Sequence, residues 1–542
     1  MRVIVIGGGA AGASCAARLR RLDEKAEIII LEKTNEISIA NCGLPYYISE
    51  VIADRDQMLV STPAKFKNWF NIDVRLDSEV VEIKEKSVIL KSGEELSYDK
   101  LVLTPGANPV IPPFEGMDYT KVFTVRTLED ADRIKNYVAL NHSKKAVIIG
   151  GGFIGVEMAE NLVEMGLKVT LAELADQILT PYDAEIAAAA HNEMRAKGVN
   201  LILSDGVKRF ENNKVILNSG REEEFDFIIM AIGVKPEIEL AKKAGLKTNR
   251  GIVVDERMQT SNPNIYAAGD SVEIKDFVTD DYTMIPLAGP ANRQGRIIAD
   301  NIAGLNSVYK KSQGTSVIKV FGLTIAGVGN NEKQLKSKGK AYWKTYIYGR
   351  SHAGYYPNST LTLYKLLFAS DGKILGAQAA GFEGVEKRID VISSVMRMGG
   401  TVQDMLDSEL CYAPPYSSAK DPVNILGMNA VNILEGLVKP AYVEDLKDSY
   451  LVDVRMPAAF KNETIEGAVN IPISEIRNRL KEFPKDKKVV LFCNTGHTSY
   501  YASRILIQNG FNNVYSLMAG IELYKEIIKD KGGKLQVVRA RN

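Results

Sequence analysis

The sequence predicts a multidomain α/β protein. Three observations predict it: a strand–glycine-turn–helix–strand unit at the N-terminus, a second copy of that unit near residue 150, and a restart of the strand–loop–helix pattern after residue 436. The chain has 542 residues, more than one hydrophobic core usually holds.

The first unit opens on the apolar, β-branched run Arg2–Ile6. Gly7-Gly8-Gly9-Ala10-Ala11-Gly12 follows, then a helical pattern to residue 21 and a second strand over 26–31, which ends at Glu32. A GxGxxG turn between strand and helix, with an acid about 20 residues on, is a dinucleotide-binding pattern. Gly7 permits the tight turn. Gly9 lets a pyrophosphate approach the backbone at the helix N-terminus, and Gly12 lets helix and strand pack closely. Glu32 is placed to accept from ribose hydroxyls.

The second unit repeats the first. Lys145–Ile149 is the strand, Gly150-Gly151-Gly152-Phe153-Ile154-Gly155 the turn, 156–165 the helix and 167–171 the next strand, with Glu173 after it. An acid there favours a free 2′-hydroxyl, hence NADH. NADPH calls for a nearby arginine, and Leu174-Ala175-Asp176-Gln177 holds none. Two dinucleotide folds in one chain suggest that electrons pass between two nucleotides. A third segment, Tyr266-Ala267-Ala268-Gly269-Asp270, ends a strand with a glycine that permits close approach and an acid that can bind a ribityl hydroxyl.

The bulk numbers exclude other classes. The chain is 45% hydrophobic and 25% charged with a net charge of +1, so no global field draws it to nucleic acid or to a membrane. No apolar run is long enough for a transmembrane helix. The N-terminus reads as a strand and a turn, not a signal peptide. Four widely spaced cysteines (Cys15, Cys42, Cys411, Cys493) form no CxxC, which argues against a disulfide framework or a zinc site and for a reducing cytoplasm. No metal is expected.

With Ile232-Gly233 before Val234-Lys235-Pro236, these turns resemble the flavoprotein disulfide reductases with two dinucleotide folds, over roughly the first four-fifths of the chain. The resemblance implies FAD on a fold spanning 1–110 and 246–317, contacted by Gly7, Gly9, Ala10, Ala11, Gly12, Glu32, Lys33, Gly269 and Asp270. It implies NAD(P)H on the fold 111–245, contacted by Gly150, Gly152, Ile154, Gly155, Glu173 and Gly233. It also implies an α+β interface domain over 318–435 and a homodimer.

The stretch Ser38-Ile39-Ala40-Asn41-Cys42-Gly43-Leu44-Pro45-Tyr46-Tyr47 then narrows the chemistry. Glutathione-reductase-like members carry a second cysteine where Tyr47 stands, so an internal redox disulfide is excluded. A single thiolate beside a flavin can cycle through sulfenic acid, as in NADH peroxidases and oxidases, or form a mixed disulfide with a substrate thiol. Both uses need a lowered thiol pKa. The peroxidase type has a histidine in the first glycine turn, where Ala10 and Ala11 stand here. The Ser38–Tyr46 pattern is similar to the coenzyme A-disulfide reductases, as are Gly354-Tyr355-Tyr356-Pro357 and Tyr412-Ala413-Pro414-Pro415-Tyr416.

That resemblance implies that Tyr355 and Tyr412 reach the active site of the partner subunit, where a phenol can donate a proton to a leaving thiolate. It implies coenzyme A contacts from Ser14, Arg18, Arg21, Ser38, Asn41, Asn292 and Lys420. Phe70 departs from it, standing where a known member has a basic residue, with Lys67 and Arg75 close by.

After residue 436 the order Asp453-Val454-Arg455, Glu466-Gly467-Ala468-Val469-Asn470-Ile471-Pro472 and Cys493-Asn494-Thr495-Gly496-His497-Thr498-Ser499 resembles a single-domain rhodanese over 436–542. A strand over 450–455, a strand over 488–492 and a helix over 500–509 are expected. A cysteine in a short loop opening onto a helix gains thiolate character from converging amides, and the loop suits a persulfide. The resemblance makes Cys493 a sulfur carrier. Thr498 replaces the usual loop arginine, which weakens the case for thiosulfate as substrate. Cys15 and Cys411 are read as small buried hydrophobes.

The expectation is an NADH-dependent flavoenzyme that reduces coenzyme A disulfide, coenzyme A persulfide or polysulfide through Cys42, with Cys493 carrying sulfane sulfur. The alternatives are an NADH oxidase or peroxidase that cycles a sulfenic acid, and a redox sensor in which coenzyme A caps Cys42.

Overall fold

The computed structural model describes residues 1–533. Two compact units divide them: residues 1–176 with 198–314, and residues 177–197 with those from 315 onward.

The first unit contains two parallel five-stranded sheets of one design. The first runs Ile265–Ala267, Lys100–Leu103, Arg2–Ile6, Glu27–Leu31, Asp73–Arg75. The second runs Asn200–Ile202, Lys168–Ala172, Lys145–Ile149, Phe227–Met230, Val122–Phe123. Each opening strand lies at the centre of its sheet with Val3–Val5 and Ala146–Ile148 almost fully buried, which is why both read as unbroken apolar runs. The helices Ala10–Leu22 and Phe153–Glu164 start directly after the third glycine of each turn. Gly9 and Gly152 cap them with extended backbone, so the second helix starts three residues before residue 156. Strand Ile265–Ala267 joins the first sheet beside Lys100–Leu103, and that pairing carries Gly269 and Asp270 to the glycine turn. A side chain at Gly269 would stand 3.7 Å from Ala11.

The second unit also contains two sheets, built differently. One is antiparallel, in the order Ser316–Val320, Leu323–Gly329, Ile374–Gly381, Leu361–Phe368, Trp343–Arg350. The other is parallel, in the order Pro440–Ala441, Val514–Leu517, Val489–Phe492, Tyr450–Asp453, Val469–Asn470. Helix Ala184–Ala196 falls inside 111–245 in chain order yet packs in this unit, where the ring of His191 meets Asp530 at 3.0 Å and Asn192 donates to Glu526. Fully buried Lys365 lies within 2.5–3.1 Å of Asp183, Glu185 and Glu332. No described helix is long and apolar enough to cross a membrane.

Candidate active site

In the first unit a cleft of about 400 Å³ is lined by Gly7, Gly9, Glu32, Lys33, Ser38 and Asn41, among others. Gly7 has a φ of +95°, and a side chain there would meet the Thr104 carbonyl at 2.3 Å. A side chain at Gly9 would stand in open space, the room that a pyrophosphate needs at a helix N-terminus. Glu32 uses one carboxylate oxygen to accept the Gly8 N–H at 2.8 Å and the other to accept Thr34. Glu173 repeats this with Gly151 N–H at 2.6 Å and Ala175 N–H at 2.8 Å. Both acids therefore brace a glycine turn at the position from which an acid reaches a ribose. Gly152 and Gly233, the latter at φ +118°, border open space as Gly9 does, and Ile154 is exposed. Ala10 and Lys33 are exposed and Ala11 is buried. Burial pushes the Asp270 carboxyl up, and the Arg126 guanidinium pulls against that shift. These residues fit two bound dinucleotides.

Cys42 lies in the turn Asn41–Gly43, which runs into the helix Leu44–Ile48. Its thiol is exposed, yet partial desolvation by the surrounding chain, and then the carboxylates of Glu157 and Asp270, push its pKa up. This corrects the expectation of a lowered thiol pKa. The first cause is desolvation of the thiol, and the charges the chain sets nearby are acids, which add to it. Tyr47, at the place of a second cysteine, is buried and donates to Asp132 at 2.8 Å. Tyr46 is pushed up to about 12 by burial and by Glu157, Glu160 and Cys42.

The expected coenzyme A residues separate into groups. Ser14 and Asn292 meet, with Oγ donating to Oδ1 at 2.5 Å, on two packed helices, Ala10–Leu22 and Ala288–Ile302. Arg18 is held by Asp300 at 2.8 Å and Arg21 is exposed. Ser38 takes φ +56°, a left-handed backbone that costs a non-glycine residue about 1 kcal/mol or more. Asn41 is exposed and donates to the Arg126 carbonyl at 2.7 Å. Phe70 lies against Phe66 with the rings tilted, while Arg75 is spent on Asp73 and Glu94 and Lys67 on Asn71.

In the second unit Tyr355 and Tyr412 are exposed, and their hydroxyls meet at 2.7 Å. That bond pushes the Tyr355 phenol up, so it stays a proton donor at neutral pH. Lys420 is exposed. Cys411 is exposed as well, not a buried hydrophobe; it lies on the loop of Tyr412, while Cys15 is buried. A cysteine is apolar enough for a core, but the fold offers this loop no core to join.

Cys493 is 4% exposed, at the end of strand Val489–Phe492. The Ser499 N–H points at its sulfur from 3.4 Å. Helix His497–Gln508 starts three residues earlier than expected, which places this amide in its first turn. Arg455 spends its guanidinium on Asp453, the Glu463 carbonyl and Asn494, so it braces the loop. His497 is paired with the Tyr501 hydroxyl at 2.7 Å.

Three residues escaped the sequence reading. Arg126 lines the cleft, and nothing around it in the sequence marks it. Glu157 is held up to about 7 by burial and Glu160; two acids on an otherwise apolar helix were the available signal. Arg388, buried under the tyrosine loops, interrupts the apolar face of its helix.

Residues 1–295 match the model of the pyridine nucleotide-disulphide oxidoreductases, 315–422 their dimerisation domain and 439–527 the rhodanese-like domain. The crystal structure of reduced Bacillus anthracis CoADR-RHD is similar at a TM-score of 0.95, with 47% identity and 98% of each chain covered. A NAD-dependent persulfide reductase from A. fulgidus is similar at 0.91, with 38% identity, covering 97% of this chain and 100% of that one. The coenzyme A disulfide reductase of Staphylococcus aureus (strain JH9) is 37% identical over 440 residues, 79% of this chain and 99% of its own. The NADH oxidase of Methanocaldococcus jannaschii is 36% identical over 445 residues, 80% of this chain and 99% of its own.

Proposed function

The chain belongs to the pyridine nucleotide-disulphide oxidoreductases, and on that premise we propose that it reduces coenzyme A disulfide and coenzyme A persulfide through Cys42. The observation that carries this reading is a single exposed thiol beside the cleft, with Tyr47 in the place of a second sulfur. The missing sulfur then comes from the substrate. FAD and NADH, the family's cofactors, supply the electron pair when bound. Gly7, Gly9, Glu32 and Asp270 hold the first, and Gly150, Gly152 and Glu173 the second, with NADPH disfavoured by Glu173.

The Cys42 thiolate attacks one sulfur of coenzyme A disulfide. A Cys42–S–S–CoA bond forms, the substrate S–S bond breaks, and one coenzyme A thiolate leaves. With coenzyme A persulfide the same attack releases hydrosulfide. Two electrons and a proton then return Cys42 to its thiolate and free the second coenzyme A thiol. Tyr355 and Tyr412 of the partner in a homodimer donate protons to the departing sulfur. Ser14, Asn292, Ser38 and Asn41 are the residues to hold the coenzyme A arm, and Cys493 carries sulfane sulfur as a persulfide, with polysulfide as a further donor.

The test is steady-state turnover of Cys42→Ser with NADH and each sulfur substrate. Loss with all of them is expected, and full activity would falsify the reading. A second reading, an NADH oxidase, is favoured by the Methanocaldococcus relative. It predicts oxygen consumption at the rate seen with coenzyme A disulfide.

A further inference from the structure

Tyr355 and Tyr412 are 76% and 48% exposed, so neither is fixed by its own packing. They stand on separate loops. One joins strands Trp343–Arg350 and Leu361–Phe368, and the other joins helices Val402–Asp407 and Pro422–Leu434. Their hydroxyls nevertheless meet at 2.7 Å. A drift of about 0.5 Å between the loops would carry that pair past hydrogen-bonding range.

One side chain underlies both loops. Arg388, on helix Val385–Arg397, is 1% exposed. Its Nη2 donates to the Ser351 carbonyl at 2.8 Å, at the start of the Tyr355 loop. Its Nε reaches Asp421 Oδ2 at 3.2 Å, at the end of the Tyr412 loop, and its Nη1 donates to the Gly384 carbonyl at 3.1 Å. Ser417 ties the second loop in further, its Oγ donating to the same Asp421 oxygen at 2.5 Å. The first loop is closed on itself, with His352 Nε2 2.9 Å from the Pro357 carbonyl. Directly between the loops runs one longer bond, Ala353 N–H to the Pro414 carbonyl at 3.3 Å.

A buried ion pair is a poor source of stability, because desolvation offsets its attraction. A guanidinium is a rigid fork with several fixed donor directions, where an ammonium is a point charge on a flexible stem. We propose that Arg388 is a positioning residue whose fork sets the spacing of the Tyr355 and Tyr412 loops, and so the alignment of the two hydroxyls. This rests on the reading that these phenols serve the sulfur chemistry. Arg388 touches no reacting atom. It acts through the Ser351 carbonyl on one side and Asp421 with Ser417 on the other.

The test uses full-length holoenzyme labelled with 3-fluorotyrosine, with the Tyr355 ¹⁹F signal assigned by its loss in Tyr355→Phe. Tyr412→Phe shifts that signal. Arg388→Lys, which keeps the charge and removes the fork, is expected to shift it the same way, and Ser417→Ala by less. With coenzyme A disulfide, Arg388→Lys lowers kcat about ten- to a hundredfold, leaves flavin reduction by NADH unchanged, and costs nothing more in a Tyr412→Phe background. An unmoved Tyr355 signal in a cooperatively unfolding Arg388→Lys protein overturns the proposal, as does an additive loss in the double variant. Wild-type turnover of Tyr412→Phe would instead remove the catalytic reading of the phenols, and the ¹⁹F comparison alone would then decide the positioning role.

Discussion

Cys42 and Cys493 are both single thiols in short turns that open onto a helix, yet the fold treats them oppositely. Cys42 is exposed beside a cleft, where partial desolvation and then the carboxylates of Glu157 and Asp270 oppose its ionisation. Cys493 is buried, takes an N–H from Ser499, and sits in a loop braced by Arg455 and by the Ile521 and Glu522 N–H groups on the Cys493 and Asn494 carbonyls. A side chain at Gly520, with φ +61°, would strike the Cys493 carbonyl at 2.4 Å. A cysteine at a helix start is therefore not enough to fix its chemistry. An open thiol can accept a bulky disulfide and release it, whereas a walled thiol suits one small sulfur held as an anion.

The largest effect is expected at Cys42. Cys42→Ser is expected to lower coenzyme A disulfide turnover at least about a thousandfold, with NADH still bleaching the flavin in stopped flow. Tyr412→Phe is next, at about a hundredfold in kcat, and the loss should grow as pH rises because protonation of the leaving thiolate becomes limiting. Cys493→Ser is expected to separate the two activities. Sulfide release from polysulfide falls at least about tenfold, while coenzyme A disulfide turnover is unchanged; equal loss of both activities would merge the two sites into one.

The smallest effect is expected from Glu157→Gln. Glu157 titrates near 7, so below that pH it is neutral and above it its charge raises the Cys42 pKa. Removing the charge should move the pH midpoint of iodoacetamide alkylation at Cys42 down by roughly half to one unit. An upward shift would show that Glu157 does not face the thiol as a carboxylate.

Both glycine turns were legible because each glycine answers a local steric demand. Gly7 and Gly150 need positive φ, and a side chain at Gly12 or Gly155 would meet a carbonyl of its own turn at 2.0 Å. Strands Arg2–Ile6 and Lys145–Ile149 matched their expected bounds, since a central parallel strand is apolar along its whole length. The Cys493 loop was legible for a like reason, a strand end, a glycine and a helix start in one short run. The Cys42 pKa was not, because it is set first by desolvation in the folded chain and then by acids at residues 157 and 270, far along the sequence. Nor was the exposure of Cys411, which depends on where a loop ends up.

Elements whose conformation is fixed by neighbours in the chain were therefore readable in advance: two dinucleotide turns, a thiol without a second sulfur, and a cysteine loop at a strand end. Which distant groups meet depended on the folded chain. It set Glu157 and Asp270 against Cys42, paired Arg18 with Asp300, joined Ser14 to Asn292, and brought the Tyr355 and Tyr412 hydroxyls together over a buried arginine. The reason is physical. Backbone sterics act over a few residues, whereas charge and hydrogen bonding act through space, and only the folded chain puts those partners within a few ångströms.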